Sequence, residues 1–206
     1  MDALSDRPLH AEDLDPDPLA LFSRWFEEAC EHGAFEPEAV ALATSTPQGT
    51  PSVRMVLNKG FDQRGFVFFT NYGSRKGAEL DANPRAALLF HWPELGRQVR
   101  IEGAVARVPR GESEAYARGR SRASQLSALA SPQSRPVESR EWLEREVRAL
   151  ERRHGTGELP VKEDWGGYRL EPAAWEFWQH RPNRLHDRFH YLPVTDGGWR
   201  IERLAP

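Results

Sequence analysis

The sequence predicts an α+β fold built around a closed or nearly closed antiparallel β-barrel with peripheral helices. Short β-type runs fill residues 39–108, strands return from residue 165 onward, and helical patterns occupy the stretch between them. Because strands and helices do not alternate regularly, a parallel βαβ sheet is not indicated. A chain of 206 residues is long enough for one ordinary core, so we expect residues 17–206 to form a single domain.

The first element is predicted to be a helix that begins after Asp17. Asp17 can cap it, Pro18 suits its first position, and apolar residues then recur at helical spacing as far as Gly33. Residues 1–16 are acidic and contain prolines, which is typical of a flexible arm. They hold no apolar run suited to a signal peptide or membrane span, and Cys30 is the sole cysteine. These features favour a cytoplasmic protein with no membrane partner.

The remaining elements follow from local patterns. The β-type runs, separated by Gly, Pro, Asn and Asp, predict a meander of at least five strands. A short helix is predicted to begin at Ser74 and to end before Pro84. Further helices are predicted at 111–120 and 138–155, and further strands at 165–170, 174–179, 188–193 and 198–204, with turns at Glu171-Pro172 and at Asp196-Gly197-Gly198.

Charge and missing motifs exclude several classes of function. The net charge of −3 argues against a general nucleic-acid binder, since such proteins carry an excess of Lys and Arg. The sequence contains no Gly-rich dinucleotide fingerprint, P-loop, nucleophile elbow or Cys pair. The usual nicotinamide, kinase, hydrolase and thiol-redox functions are therefore not indicated, and any phosphate chemistry must be local.

The first candidate site is Ser74-Arg75-Lys76, at the start of the short helix. Free backbone N–H groups and the helix dipole favour an anion at such a start, and two cations and a hydroxyl would complete a phosphate site. The alternative is a serine cap followed by solvated charges.

A second candidate lies at residues 118–125, downstream of Tyr116. Arginine forks match phosphate oxygens, and serine hydroxyls add donors. The alternative is an ordinary surface helix end or loop. The polar residues of this cluster are Arg118, Arg120, Ser121, Arg122 and Ser124.

The third candidate is RLHDRFHY at 184–191. Strand alternation would place Arg184, His186, Arg188 and His190 on one face, which suits an electron-rich ring or an anion. Surface or interface ion pairing is the alternative. No further Cys or carboxylate at ligand spacing accompanies the two histidines, so we expect no metal site.

Several separated motifs occur together in one order. With them the sequence resembles the pyridoxamine 5'-phosphate oxidase family from residue 17 to the C-terminus. Asn58 stands where that family has an apolar residue, and Phe69 stands where it has a tyrosine, so one flavin hydroxyl contact is expected to be absent. The motifs are RMVLNK (54–59), FFTNYGSRK (68–76), NPRAALLFHW (83–92), RQVRIEG (97–103), SQLSALASPQS (124–134), WGGYRL (165–170), EFWQ (176–179) and RLHDRF (184–189).

The resemblance implies an FMN-binding split β-barrel of antiparallel, Greek-key type with peripheral helices. It also implies a homodimer with two FMN molecules at the interface, each contacted by both subunits. The start of the helix at Ser74 becomes the flavin phosphate site. The residues implied to bind FMN are Arg54, Met55, Val56, Leu57, Phe69, Thr70, Arg75, Lys76, Gln98, Gln133, Ser134, Trp178 and Arg188.

The resemblance also implies the reaction. Pyridoxamine or pyridoxine 5'-phosphate would give up a hydride equivalent from C4', O₂ would reoxidise the flavin, and the products would be pyridoxal 5'-phosphate and H₂O₂. Lys59, Tyr116, Arg120 and Ser124 are implied to hold the substrate phosphate. The same resemblance places Arg184 and His186 around the pyridine ring as the catalytic candidates.

Other functions remain open from the sequence. A phenazine-biosynthesis oxidase of the same fold would keep the FMN residues and change the substrate pocket. A flavin- or pyridoxal-phosphate-binding module without turnover would lose Arg184 or His186, and both are present. A purely structural dimerisation barrel would not need three separated anion-type clusters.

Overall fold

Within residues 7–206, the part of the chain that this computed structural model describes, five α-helices surround eight antiparallel strands. The predicted α+β class is confirmed. The helices are α1 (Pro18–Glu31), α2 (Arg75–Ala82), α3 (Arg110–Gly119), α4 (Arg122–Ala130) and α5 (Arg140–His154). The strands are β1 (Ala39–Ser45), β2 (Pro51–Asp62), β3 (Gly65–Asn71), β4 (Arg85–Trp92), β5 (Arg97–Arg107), β6 (Trp165–Gln179), β7 (Asp187–Pro193) and β8 (Trp199–Arg203).

Six of these eight strands close a barrel. They follow the order β3-β2-β1-β4-β5-β6, and β3 also pairs with β6. The predicted simple meander is wrong at one point, because β3 and β4 are not neighbours. The chain instead crosses the end of the barrel through α2, so that β4 lies beside β1. This is a Greek-key connection, which confirms the split-barrel topology that the family resemblance implies.

Strand β6 belongs both to the barrel and to the sheet that extends from it. Its first part pairs with β3 as far as Leu170, and its second part pairs with β7 from Trp175 onward. The predicted turn at Glu171-Pro172 is wrong, since β6 runs through it without a break. The register with β5 shifts beside Gly103 instead, and a proline is tolerated at such a bulge.

The core fills the barrel and is closed on one side by α1. Asp17 caps this helix as predicted, and Phe22 projects from it into the barrel. The Phe22 ring lies 4.9 Å from each of the rings of Phe61, Phe66 and Phe90. Edge-on contacts of this kind add to the free energy of burying aromatic rings, so α1 and the barrel form one core.

The predicted arm is only partly visible, because residues 1–6 lie outside the described part of the chain. Residues 7–16 contact the extension of the barrel. Leu9 is buried, and its backbone N–H donates to Asp187 on β7 over 3.1 Å. The Tyr191 hydroxyl on the same strand donates to the carbonyl oxygen of Asp15 over 2.9 Å. Among residues 7–206, no helix is long and apolar enough to cross a membrane.

Candidate active site

A cleft of about 680 Å³ lies between β2, β3, the start of α2 and the α3–α4 region. Its volume is in the range of small-molecule sites. Most of the residues expected to bind flavin or substrate meet here. These are Arg54, Met55, Val56, Leu57, Lys59, Phe69, Thr70, Arg75, Lys76, Tyr116, Arg120, Gln133 and Ser134.

The charge of this cleft is one-sided. Among its lining residues in the described chain, five side chains are cationic and none is a carboxylate. A cleft lined by cations and by no carboxylate attracts anions, and arginine forks match phosphate groups in particular. The cationic residues are Arg54, Lys59, Arg75, Lys76 and Arg120.

The buried end of the cleft is built by the start of α2. Ser74 is fully buried and caps the helix by accepting a hydrogen bond from the backbone N–H of Gly77, as predicted. The Lys76 ammonium donates to Thr70 over 2.9 Å and to Gln133 over 3.1 Å. Burial, with a smaller contribution from the nearby Arg54, lowers the pKa of Lys76 to about 8. This ammonium therefore loses its proton in the mildly alkaline range.

Glu79 joins the two arginines at this end of the cleft. Its carboxylate accepts from Arg75 Nε over 2.9 Å and lies 3.3 Å from Arg54 Nη2. Burial alone would raise the pKa of Glu79, but hydrogen bonds from Ser52, Thr44 and Arg75 outweigh it and lower the pKa to about 2. Glu79 is thus a carboxylate at any physiological pH.

Lys59 is directed into the cleft by an irregularity in β2. The β2–β3 register shifts between Asn58 and Gly60, which leaves Lys59 as the extra residue of a bulge. Asn58 is buried beside Lys59. Its side-chain amide nitrogen donates to the backbone carbonyl oxygens of Gly60, over 3.1 Å, and Val67, over 3.2 Å. The polar residue that departs from the family pattern therefore satisfies carbonyl groups at the bulge.

Three parallel aromatic rings form one wall of the cleft. The Phe69 and Tyr116 rings are 3.9 Å apart with an 8° angle between their planes, and Trp165 stacks on Phe69 at 5.6 Å. The Arg120 guanidinium lies 5.3 Å from the centre of the Trp165 ring. Burial raises the pKa of Tyr116, so its phenol remains a hydrogen-bond donor. Sequence reasoning did not assign Trp165 to the site.

The polar residues at 118–125 do not form one site, because α4, which the sequence analysis did not predict, begins at Arg122. Arg120 faces the cleft, whereas Arg122 on α4 donates to the carbonyl oxygens of Gly155 and Gly157. Ser121 caps α4, and Ser124 lies one turn later. Ser124 is not among the residues that line the cleft.

Gln98, Trp178 and Arg188 form a second group. They lie side by side across β5, β6 and β7 and do not line the cleft. Arg188 Nε is held 2.7 Å from the Glu176 carboxylate, and the His186 ring lies 4.5 Å from the Trp178 ring. The structure therefore separates the expected flavin residues into two groups.

Arg184 is not on a strand, so the predicted alternation from Arg184 to His190 is wrong at its start. Strand β7 begins only at Asp187, and residues 182–184 form a tight helical turn. Asn183 and Arg184 have φ values of 58° and 63°, in the left-handed region that is uncommon outside glycine. Arg184 is exposed and lies in this turn, before the start of β7.

His186 has a defined hydrogen-bonding role. The backbone N–H of Arg181 donates to His186 Nδ1 over 3.1 Å. Burial, then the nearby His180, Arg184 and Arg188, lowers the pKa of His186. A neutral ring that accepts at Nδ1 carries its proton on Nε2, so His186 presents an N–H donor.

The two groups lie at opposite ends of β6. At about 3.3 Å per residue, the strand from Trp165 to Trp178 has a contour of roughly 40 Å. None of Gln98, Trp178 and Arg188 lines the cleft. Among residues 7–206, no group of three or more His, Cys, Asp or Glu side chains is placed to hold a metal ion.

Comparison with known proteins shows to which family this architecture belongs. The barrel and its cation-lined cleft define a protein that binds small anionic ligands. Residues 26–154 match the family model described as pyridoxamine 5'-phosphate oxidase, and residues 165–206 match the pyridoxine 5'-phosphate oxidase C-terminal dimerisation region. The chain belongs to the pyridoxamine 5'-phosphate oxidase family.

Individual relatives agree with this assignment. A pyridoxine/pyridoxamine 5'-phosphate oxidase of Rubrobacter xylanophilus is 58% identical over 95% of this chain and 90% of its own length. One from Gluconobacter oxydans is 52% identical over 98% of this chain and 100% of its own. These matches extend over both groups of site residues.

Solved structures confirm the fold. PhzG from Burkholderia lata, in complex with tetrahydrophenazine-1-carboxylic acid, has a TM-score of 0.91 and 34% identity over 98% of this chain and 100% of its own. A pyridoxamine 5'-phosphate oxidase-related, FMN binding protein from Nostoc punctiforme has a TM-score of 0.72 and 17% identity over 94% of this chain and 100% of its own. The second likeness concerns the fold alone.

Proposed function

We propose that this chain is an FMN-dependent oxidase of pyridoxamine 5'-phosphate and pyridoxine 5'-phosphate. The alcohol substrate and O₂ give pyridoxal 5'-phosphate and H₂O₂; the amine substrate also consumes water and releases ammonia. The observation that carries the proposal is the cleft with five cationic side chains and no carboxylate among its lining residues, in a chain of this family. Two phosphorylated molecules side by side explain that excess of positive charge.

The FMN phosphate fits the buried end of the cleft. Arg54, Arg75 and Lys76 supply positive charge there, and α2 begins there with its free N–H groups. The side chains of Thr70 and Gln133 hold the Lys76 ammonium in place. When bound, FMN supplies the redox chemistry, accepting two electrons and a proton from the substrate and passing them to O₂.

The substrate phosphate fits the outer end of the cleft. The bulge directs Lys59 there, and the aromatic wall holds Tyr116 and Arg120. Ser124, one turn into α4, would join them only through a shift of its hydroxyl away from Ser121, to which it is hydrogen-bonded at 2.8 Å. Two cations and a phenol then hold a dianionic group.

A homodimer would bring the second group of residues to the cleft. The outer face of β2 exposes Val53 and Met55, with 69% and 63% of their surface accessible, at the rim of the cleft. An apolar ladder on a strand favours burial against another protein surface. Residues 165–206, which contain Trp178, Arg184, His186 and Arg188, match a dimerisation region. We propose that these side chains complete the cleft of the partner subunit.

This arrangement assigns distinct roles to the second group. Arg184 would hold the pyridine ring of the substrate, and the His186 Nε2–H would donate to the group at C4'. Arg188, fixed by Glu176, would place positive charge beside the flavin and favour its reduced anionic form. Orientation and electrostatics are then the contributions of the protein.

A phenazine-type oxidase is the second candidate, favoured by the TM-score of 0.91 to PhzG. The two candidates differ in the outer end of the cleft. An aromatic carboxylic acid carries one negative charge, whereas Lys59, Tyr116 and Arg120 suit a dianionic phosphate. Substrate phosphate dependence therefore distinguishes them.

The test is to purify the protein, record its visible spectrum, and measure H₂O₂ and pyridoxal 5'-phosphate formed in air from pyridoxamine 5'-phosphate. We expect a yellow protein that makes both products and does not oxidise unphosphorylated pyridoxamine. A yellow protein that makes neither product would refute the proposed oxidase activity. We also propose a cytoplasmic location, supported by a single cysteine that has no partner within the chain for a disulfide; cell fractionation tests it.

A further inference from the structure

Glu79 lies behind the wall of the cleft and contacts four of its neighbours with both carboxylate oxygens. Oε1 accepts from Arg75 Nε over 2.9 Å. Oε2 accepts from the hydroxyls of Thr44 and Ser52, each over 2.5 Å, and from Arg54 Nη2 over 3.3 Å. Only 6% of the Glu79 surface is accessible, and Glu79 is not among the residues that line the cleft.

These contacts leave the carboxylate little freedom. Arg75 lies four residues before Glu79 on α2, whereas Arg54 reaches it from β2. Arg54 also donates to Thr44 over 2.6 Å and to the carbonyl oxygen of Leu42 over 3.0 Å. The two guanidinium groups are therefore held in one arrangement by a single buried anion before any ligand arrives.

The cations at this end of the cleft repel one another when no phosphate is present. Arg54, Arg75 and the buried Lys76 converge there, and Glu79 is the carboxylate in contact with the first two in the described chain. A fixed negative charge behind the guanidinium groups offsets this repulsion without touching the ligand. Ligand-binding groups that are oriented in advance lose less conformational entropy on binding.

We propose that Glu79 is a positioning residue that sets Arg54 and Arg75 for the phosphate of FMN. This inference rests on the proposed function, since FMN is the ligand assigned to this end of the cleft. It goes further because it separates recognition of the FMN phosphate from recognition of the rest of the flavin. Glu79 acts on the phosphate through the two arginines and does not itself line the cleft.

The test compares FMN with riboflavin, which has the same ring system and no phosphate. Flavin is removed from the purified protein, and each flavin is titrated back while its fluorescence quenching is followed. In Glu79→Gln the carboxamide presents an N–H₂ group to donors and carries no charge. We expect the Kd for FMN to rise about 10- to 100-fold, the range found when outer contacts that orient metal ligands are lost, and the Kd for riboflavin to change less than twofold.

Glu114→Gln is the matched control. Glu114 also pairs with two arginines, Arg110 over 2.8 Å and Arg118 over 3.5 Å, but 32% of its side chain is accessible and it does not line the cleft. Its substitution should leave both affinities unchanged. A Glu79→Gln protein that binds FMN as tightly as the wild type, or that loses FMN and riboflavin equally, would overturn the proposal.

A second variant keeps the test decisive if Glu79→Gln does not fold. Thr44→Val preserves shape, removes a donor to Glu79 together with the acceptor that Thr44 offers to Arg54, and alters no residue that lines the cleft. We expect a smaller, FMN-specific loss of about 3- to 10-fold, roughly the value of one hydrogen bond; no loss would overturn the proposal. A wild-type protein that binds neither flavin would refute the proposed function itself, so the two failures are distinguishable.

Discussion

The Lys76 ammonium donates to the side-chain oxygen of Gln133 over 3.1 Å, which ties the start of α2 to the segment that follows α4. The contact is one of three that the buried ammonium makes, the others being to Thr70 and Ser74. Because burial lowers the pKa of Lys76 to about 8, this end of the cleft loses a positive charge in the mildly alkaline range. A titrating group thus lies inside the site assigned to the flavin phosphate.

FMN affinity should therefore fall above pH 8. The FMN phosphate is already a dianion there, since its second pKa is about 6. If only the ammonium form of Lys76 binds it, binding takes up one proton above pH 8, and the Kd should be about tenfold higher at pH 9 than at pH 7. Fluorescence titration at several pH values measures this. Lys76→Arg, which stays charged, should show a flat profile, and a steep profile in that variant would contradict the assignment.

Arg120 should affect substrate affinity far more than its neighbour Arg122. Arg120 faces the cleft, whereas Arg122 is bound to backbone carbonyls away from it. A lost charged hydrogen bond is worth about 1.5–3 kcal/mol, so Arg120→Gln should raise KM for pyridoxamine 5'-phosphate about 10- to 100-fold. Steady-state assays at saturating FMN test this. Arg122→Gln should leave KM unchanged; equal effects of the two changes would count against the proposed phosphate site.

Much of the barrel was visible in local sequence patterns. Strands β1 to β5 fall within the predicted β-type region at 39–108, and α2 begins after Ser74 as expected, because a capping serine closely follows an apolar run. The bulge in β6 was not visible. Glu171-Pro172 is a good turn signal in isolation. Pairing with β5 at these residues, with β3 before them and with β7 after them keeps the chain extended.

The sequence named many of the residues that line the cleft, but it did not give their arrangement. Periodicity does not reveal that Trp165 stacks on Phe69, because these residues lie on strands far apart in sequence. It also placed Arg184 on a strand that begins three residues later. The separation of Trp178 from the cleft depends on the course of β6, which local patterns do not specify.

Gly103 should be indispensable at the bulge. A Cβ atom on Gly103 would lie 1.8 Å from the carbonyl oxygen of Glu171, which is rigid backbone. Gly103→Ala should lower the free energy of unfolding by about 3 kcal/mol or more, as expected of strain in a core sheet. Gly111 on α3 has open space around it, so Gly111→Ala should change stability by less than about 1 kcal/mol. Denaturant unfolding compares the two, and a neutral Gly103→Ala would show that the bulge relaxes freely.

Two inactive variants should restore activity when their subunits are mixed. The proposed site combines Arg120 from one subunit with Arg184 from the other, because these residues belong to groups at opposite ends of β6. Arg184→Ala alone should lower turnover more than FMN binding, and Arg120→Gln should be nearly inactive at low substrate concentration. In a heterodimer of the two, one site carries both changes and the other carries neither.

The mixed sample is prepared by co-expressing the two variants with different affinity tags and purifying through both. If Arg184 acts across the interface, each heterodimer has one intact site and should reach about half the wild-type activity per dimer. If Arg184 served the cleft of its own subunit, both sites would be defective and no activity would return. Arg184→Ala co-expressed with itself under both tags provides the baseline. Recovery in the mixed dimer alone would therefore assign the catalytic candidates to the partner cleft, whereas its absence would refute the shared site.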